Sequence, residues 1–261
     1  IKDVKFDNNN NSNNNNKNKK YNNENYSKKF EMIRNYQSKI INEKTLFTKI
    51  RNLLNKITEK TYEKLLVDLI DLIVLIYDTK DDSKDEITNF IFHFFTKNLF
   101  MSKIFSNIYK ILCNKFDDFK DIIMENLNNF DIFLINLENN NENNINMDYY
   151  KSYFLFYSNC YNYEIIELNI IIKILLNYQT KLLDLINKSN NKEICENINE
   201  LIFIFIKNSY TELIKNLSND KNKLIFKNIN DISNYKTYNY ESLSNKVIFK
   251  NKDLMDLINK Y

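Results

Sequence analysis

An all-α fold is what this sequence predicts, and three observations carry that expectation. The chain of 261 residues contains no glycine and no proline, where an average protein carries roughly 7% and 5%. Without them, tight two-residue hairpins lose their preferred turn residues, which argues against a many-stranded β fold. Apolar residues recur at three- and four-residue steps along most of the chain, as one face of a helix requires. Finally, about 50 asparagines are available for the turns and helix ends that Gly and Pro usually provide.

The elements follow in order. Residues 1–27 are a low-complexity asparagine tract with almost nothing to bury, read as a disordered tail. From Lys28 to residue 261 the pattern is that of one folded domain, interrupted by an Asn-rich loop at about 138–148. Leu46, Phe47, Ile50, Leu53, Leu54 and Ile57 form one helical face. Thr58 is a candidate N-cap for a second helix with Leu65, Leu66, Leu69, Ile70, Leu72, Ile73 and Ile76 inside.

An acidic connector, Asp78–Glu86, follows, and Ser83 with Glu86 has capping-box spacing for a helix through Phe95. Further helices are expected over 100–116, 117–137, 149–159, 163–178, 179–187 and 193–207. Ser209 and Glu212 have the same capping spacing. The stretch 217–242 reads as a polar loop, and Ser244–Ile258 as a last helix. A helix, a short connector and a helix, repeating about every 40 residues, is the outline of a HEAT-like α-solenoid.

The missing glycine excludes phosphate loops, dinucleotide fingerprints and nucleophile elbows, since each needs close backbone approach or φ > 0. His93 is the single histidine and sits among Phe90, Phe92, Phe94 and Phe95, so it reads as a helix-surface or core-edge histidine rather than a catalytic base. Cys113, Cys160 and Cys195 lack metal-type spacing and read as reduced core thiols. The Asp78–Glu86 carboxylates read as a solvated connector, since no glycine makes the turn of a calcium loop. The expectation is a protein that is not an enzyme, with no catalytic residues, cofactor or metal.

Apolar runs are too short for a membrane span, no apolar signal peptide opens the chain, and a cytoplasmic location is expected. Ile1 in place of Met points to a piece of a longer protein. Residues 1–30 carry seven Lys and three acids, and residues 221–261 eight Lys and four acids. Each end is therefore +4, and the middle is −5 within the net charge of +3. Any RNA contact is expected at those basic terminal segments. The many Phe and Tyr lie mostly at core spacing and read as packing, and the asparagines within helices as exposed filler.

Five stretches resemble, in order, the middle domain of eukaryotic translation initiation factor 4 gamma. Phe47–Thr58, with Tyr62 four residues on, is similar to the family's opening helix, which ends Leu-Asn-Lys-Leu-Thr. Ile87–Tyr109 lies without a gap on the next helix pair, with Ile91-Phe92, Met101-Ser102 and Phe105 at matching positions. Ile123–Phe130 resembles the helix before the family's variable linker, and Tyr153–Phe156 the helix after it. Ser244–Leu257 is similar to the closing helix. The chain departs from the pattern at Glu59, where the family has Pro, in the Glu-Pro missing before Met101, and in a glycine missing from the Tyr153–Phe156 helix. A tryptophan that some members place upstream is absent, as is a cap-binding motif in 1–45.

The resemblance implies a HEAT-like α-solenoid of about five antiparallel helix pairs with no catalysis of its own. It implies a translation-initiation scaffold that binds and stimulates a DEAD-box RNA helicase of the initiation factor 4 A type by favouring one helicase conformation. Contact with mRNA, help in recruiting the ribosomal initiation complex, and other initiation factors binding outside this stretch are implied as well. The alternatives are a related adaptor of splicing, decay or deadenylation that holds another DEAD-box helicase, or a generic helical interaction module. Candidate helicase contacts are Asn55, Lys56, Thr58 and Lys60 after the first helix. On the last helix they are Lys246, Lys250 and Asp253, all expected to be exposed, with Val247, Phe249, Leu254 and Leu257 in the core. The competing roles are structural: Asn55 and Thr58 capping the turn, Arg51 pairing within the repeat, and a solvated face on the last helix.

Overall fold

The computed structural model describes residues 45–78, 83–138, 146–216 and 220–260. The expected tail at 1–27, the helical pattern at 28–44, part of the acidic connector and most of the Asn-rich loop lie outside the described residues. Among the described residues the regular structure is entirely helical. In chain order the helices are α1 (45–54), α2 (Tyr62–Asp78), α3 (Ser83–Thr96), α4 (Ser102–Lys115), α5 (Asp117–Glu125) and α6 (Asn129–Glu138). Then come α7 (Met147–Asn162), α8 (Leu168–Leu185), α9 (Lys192–Lys215), α10 (Asp220–Asn234) and α11 (Asn245–Asn259).

Contacts order the helices into two rows. In one, α4 packs on α7, α7 on α9 and α9 on α11, and α2 joins at α4. In the other, Phe47 of α1 meets Phe90 of α3 at 6.2 Å, α3 packs on α5, Phe133 of α6 stacks on Tyr178 of α8, and α8 packs on α10. Cross contacts of α3 with α4, α4 with α5, α8 with α9 and α10 with α11 join the rows.

The core between them is aromatic at its centre. Phe95 and Phe105 stack with centroids 4.5 Å apart and planes 6° apart, and Phe92, Tyr109 and Phe156 meet edge to face or tilted. Tyr109, Tyr153, Tyr157 and Tyr178 are fully buried. Burial of a phenol is tolerable only if its hydroxyl finds a partner. Tyr109 donates to the Phe119 carbonyl at 2.6 Å, Tyr157 to that of Ile123 at 2.9 Å, Tyr178 to that of Phe130 at 2.7 Å, and Tyr153 to that of Asn126.

Asparagine within the helices is not all surface filler, contrary to expectation. Asn159 on α7 is buried, donates to Ser102 Oγ on α4 at 3.0 Å and accepts from Asn208 Nδ2 on α9 at 2.9 Å. Asn251 on α11 is buried and donates to Asn199 Oδ1 on α9 at 2.8 Å. In the other row, Gln179 on α8 donates to the Ile225 carbonyl on α10 at 3.0 Å and accepts from Asn228 Nδ2 at 3.0 Å. An amide both donates and accepts, so one buried residue can tie two neighbours and leave few orphaned groups.

Several helix limits differ from the sequence expectation. The largest difference is α10, where a loop was expected. Its Ile225, Phe226, Ile229 and Ile232 are buried, a sparse apolar stripe within a polar segment. The expected break at 178–179 does not occur, because α8 is continuous through Leu185. Helix α9 likewise runs on to Lys215. The Ser209 capping box therefore does not form, and Ser209 Oγ donates to the Phe205 carbonyl one turn back at 2.7 Å. The 117–137 helix is broken at the 3-10 turn Asn126–Asn128. Helix α3 does begin at Ser83, yet the buried Ser83 Oγ has no hydrogen-bond partner, so no capping box holds that end.

Left-handed backbone occurs at Glu164 (φ 61°) and Asn190 (φ 63°). Asn190 follows the expectation that asparagine stands in for glycine. Glu164 does not. It closes α7 in a Schellman arrangement, with Ile165 N donating to the Cys160 carbonyl and Glu164 N to that of Tyr161, both at 2.9 Å. Glycine is the usual occupant because a Cβ is disfavoured there.

Candidate functional site

The two sets of candidate residues lie on the first and last of the described helices. At the first, α1 buries Ile50, Leu53 and Leu54, with Ile57 just beyond it, so the opposite side of the helix and the following turn face outward. Asn55, Lys56, Thr58 and Lys60 are all exposed there. Thr58 is not the N-cap of α2, which begins four residues later at Tyr62.

The organising side chain is Thr61, which the sequence reading missed. Its hydroxyl donates to the Lys56 carbonyl at 2.8 Å, accepts from Thr58 N at 2.9 Å, and lies 2.9 Å from Thr58 Oγ1. Thr58 O in turn accepts from Thr61 N at 3.1 Å and Tyr62 N at 3.0 Å. Such side-chain-to-backbone bonding is what Thr offers in a turn. The Thr58-x-x-Thr61 spacing was the available signal. Arg51 places its guanidinium 5.2 Å from the centroid of the Phe90 ring on α3, so it holds α1 to its neighbour.

Beside this turn, Lys49, Asn52, Leu53 and Lys56 of α1 face Leu65, Asp68, Asp71 and Leu72 of α2 across a groove of about 540 Å³. Its α1 bank is basic and its α2 bank acidic. The exposed lysines of the turn continue the basic bank.

At the last helix, Ser244, read from the sequence as the first residue of the helix, is its N-cap, the hydroxyl accepting from Val247 N at 3.4 Å. Val247 and Leu254 are buried. Phe249 is not: it is 59% exposed, and Leu257 is only half-buried. The buried face is Val247, Ile248, Asn251 and Leu254, which is three- and four-residue spacing, and position 249 points away from it.

The three polar candidates separate. Asp253 is exposed. Lys246 is exposed but paired with Glu196 of α9 at 3.2 Å. Lys250, expected to be exposed, is tucked in instead. Its ammonium lies 2.7 Å from Glu200 Oε2 and 4.1 Å from the centroid of the Phe203 ring, so it fastens α11 to α9. Burial pushes the Glu196 carboxyl up, but hydrogen bonds from Ser244 and Lys246, with the Lys246 and Lys192 charges, outweigh it and hold the group below the usual glutamate range. With Lys223 paired to Asp220 at 3.0 Å, part of the C-terminal basic excess is neutralised by acids within the fold.

Among the described residues no three His, Cys or carboxylate side chains converge as a metal ion would need. His93 is exposed on α3, and partial burial and the Lys97 charge lower its pKa. Cys160 and Cys195 are buried, and Cys113 is half-buried. Burial raises all three thiols, Cys113 and Cys195 to about 12. No described helix is long and apolar enough to cross a membrane.

The fold and its surfaces define an all-helical protein whose candidate sites are exposed turns and helix faces. No protein-family model matches the chain, and no curated protein matches it.

Proposed function

We propose that this chain is a HEAT-like solenoid scaffold that holds a DEAD-box RNA helicase of the initiation factor 4 A type and serves translation initiation. One observation carries the architectural part. Hydrogen bonds between helices of one row recur at similar sequence separations, from 46 residues for Gln179–Ile225 and Asp131–Asn177 to 57 for Ser102–Asn159, with Ser106–Phe156 at 50, Asn159–Asn208 and Gln179–Asn228 at 49 and Phe130–Tyr178 at 48. Lys246 and Glu196 are also 50 apart. A recurring step of this kind is what stacked helix pairs produce, since each pair contacts chiefly its neighbours. The step is nearer 50 residues than the 40 read from the sequence, because helices such as α8 and α9 run on past their expected ends.

The functional part is supported by the five ordered stretches that resemble the middle domain of initiation factor 4 gamma. The first covers α1 and its turn, the second α3 and α4, the third the junction of α5 and α6, the fourth lies on α7, and the last on α11 with its cap. Asn55, Lys56, Thr58 and Lys60 at one end, with Lys246 and Asp253 at the other, would each meet one lobe of a two-lobed helicase. Differential affinity for the closed arrangement of those lobes would then shift the helicase toward it. Lys250 supports the α11 surface from behind rather than touching the partner.

The test is the RNA-dependent ATPase rate of an initiation factor 4 A type helicase with and without this protein. A rise is expected, together with a complex on gel filtration, and both should weaken with Lys56→Glu and Lys60→Glu. No rise and no complex would overturn the proposal. A cap-binding motif upstream in the full-length chain points to initiation, and an adjoining second helical domain of splicing-factor type points away from it.

A further inference from the structure

We infer that the groove between α1 and α2 is the docking site for an amphipathic helix of a partner protein. That helix carries an apolar stripe with an acidic flank on one side and a basic flank on the other. The groove measures about 540 Å³. Leu53 is buried and Leu65 and Leu72 are half-buried, so the three leucines make its floor. Its rims are exposed and polar: Lys49, Asn52 and Lys56 on the α1 side, Asp68 and Asp71 on the α2 side.

The two rims do not neutralise one another. Among the described residues no ion pair engages Lys49, Lys56, Asp68 or Asp71. On α11, by contrast, Lys246 and Lys250 each hold a carboxylate of α9. Opposite charges kept apart across a groove are left to whatever lies between them, and a partner of complementary charge gains orientation from them.

The floor has the repeat of a helix. Leu65 and Leu72 lie seven residues apart on α2, two turns or about 10 Å. Leu75, 54% exposed, continues that side of α2 by one more turn. A helix laid in such a groove reads it with apolar residues at three- and four-residue steps. Its acidic flank then faces Lys49 and Lys56, and its basic flank faces Asp68 and Asp71. The docking site is independent of the helicase reading, with which it shares Lys56 alone.

Fluorescence anisotropy with three synthetic helical peptides of about four turns tests it. All carry the same leucine stripe. One has Glu on one flank and Lys on the other, the second Glu on both, the third Lys on both. A peptide turned end for end exchanges its flanks, so the mixed pattern is read whichever way it lies. The mixed peptide should bind at least about fivefold more tightly than either control. In Asp68→Lys/Asp71→Lys both rims become basic, and the preference should pass to the peptide with Glu on both flanks. In Lys49→Glu/Lys56→Glu it should pass to the peptide with Lys on both. Equal binding of the three by the parent, binding of none, or a preference that both double variants leave unaltered would overturn the inference.

Discussion

Helices α2 and α7 are nearly equal in length and opposite in what their composition suggests. Helix α2 is rich in Leu, Ile and Val, and three of its 17 residues are buried. Helix α7 is rich in Tyr, Ser and Asn, and nine of its 16 are buried. The difference is one of position. Helix α7 has α4 on one side, α9 on the other and α3 across the core, so polar side chains such as Tyr157 and Asn159 are buried there beside hydrogen-bond partners. Among the described residues, helix α2 lies near the end of its row. Hydrophobicity says that a helix has surface to hide, while the number of neighbours decides how much of it is hidden.

The largest expected effect comes from emptying the centre of the better-covered region. Phe156→Ala on α7 removes a ring that meets Phe92 and Tyr109, and urea denaturation should show a loss of about 3–5 kcal/mol. Next is Asn159→Leu, which keeps the volume but strips Asn208 and Ser102 of a buried partner. The loss should be about 1–3 kcal/mol. A loss near zero would mean that the amide ties along the row are incidental to stability.

Helix α2 gives a smaller effect that sharpens the contrast. Val74→Ser should stay within about 0.5 kcal/mol in urea denaturation, because the side chain is already 39% exposed. At the end of α7, Glu164→Gly should gain about 0.5–1 kcal/mol, seen as a raised midpoint, because glycine accepts φ 61° without penalty.

The smallest change belongs to α11. Lys246→Ala should cost at most about 0.5 kcal/mol. It should also shift the acid side of the pH–stability curve. Glu196 is held below its ordinary pKa. Its contribution is therefore complete above the unfolded value of about 4.3 and is lost as pH falls through the lower folded value. Without Lys246 the folded value moves back toward the unfolded one, so less stability is lost across that window and the loss is complete at higher pH. A curve superimposable on that of the parent would show that the pair is not coupled to folding.

The helical class and the faces of α1 and α2 were legible because each rests on local spacing. Helix α10 was not, since its four buried apolar residues are outnumbered by Lys, Asn and Asp, and only packing on α8 and α11 rewards the stripe. Ser209 misled because a capping box and a mid-helix serine bonded one turn back share the same letters. At the candidate site, the exposure of Asn55, Lys56, Thr58 and Lys60 could be anticipated from the α1 pattern. The withdrawal of Lys250 could not, because Glu200 and Phe203, which hold it, lie about 50 residues away on another helix.

By itself the sequence determined that this protein is helical, that glycine-dependent chemistry is closed to it, and which stripe of most helices is apolar. These follow from backbone sterics and from a period of 3.6 residues, both local. Only the tertiary structure decided which polar residues are interior. Asn159, Asn251, Gln179 and the buried tyrosines carry groups that water would satisfy equally well. Their burial depends on a partner that the next helix brings to within about 3 Å.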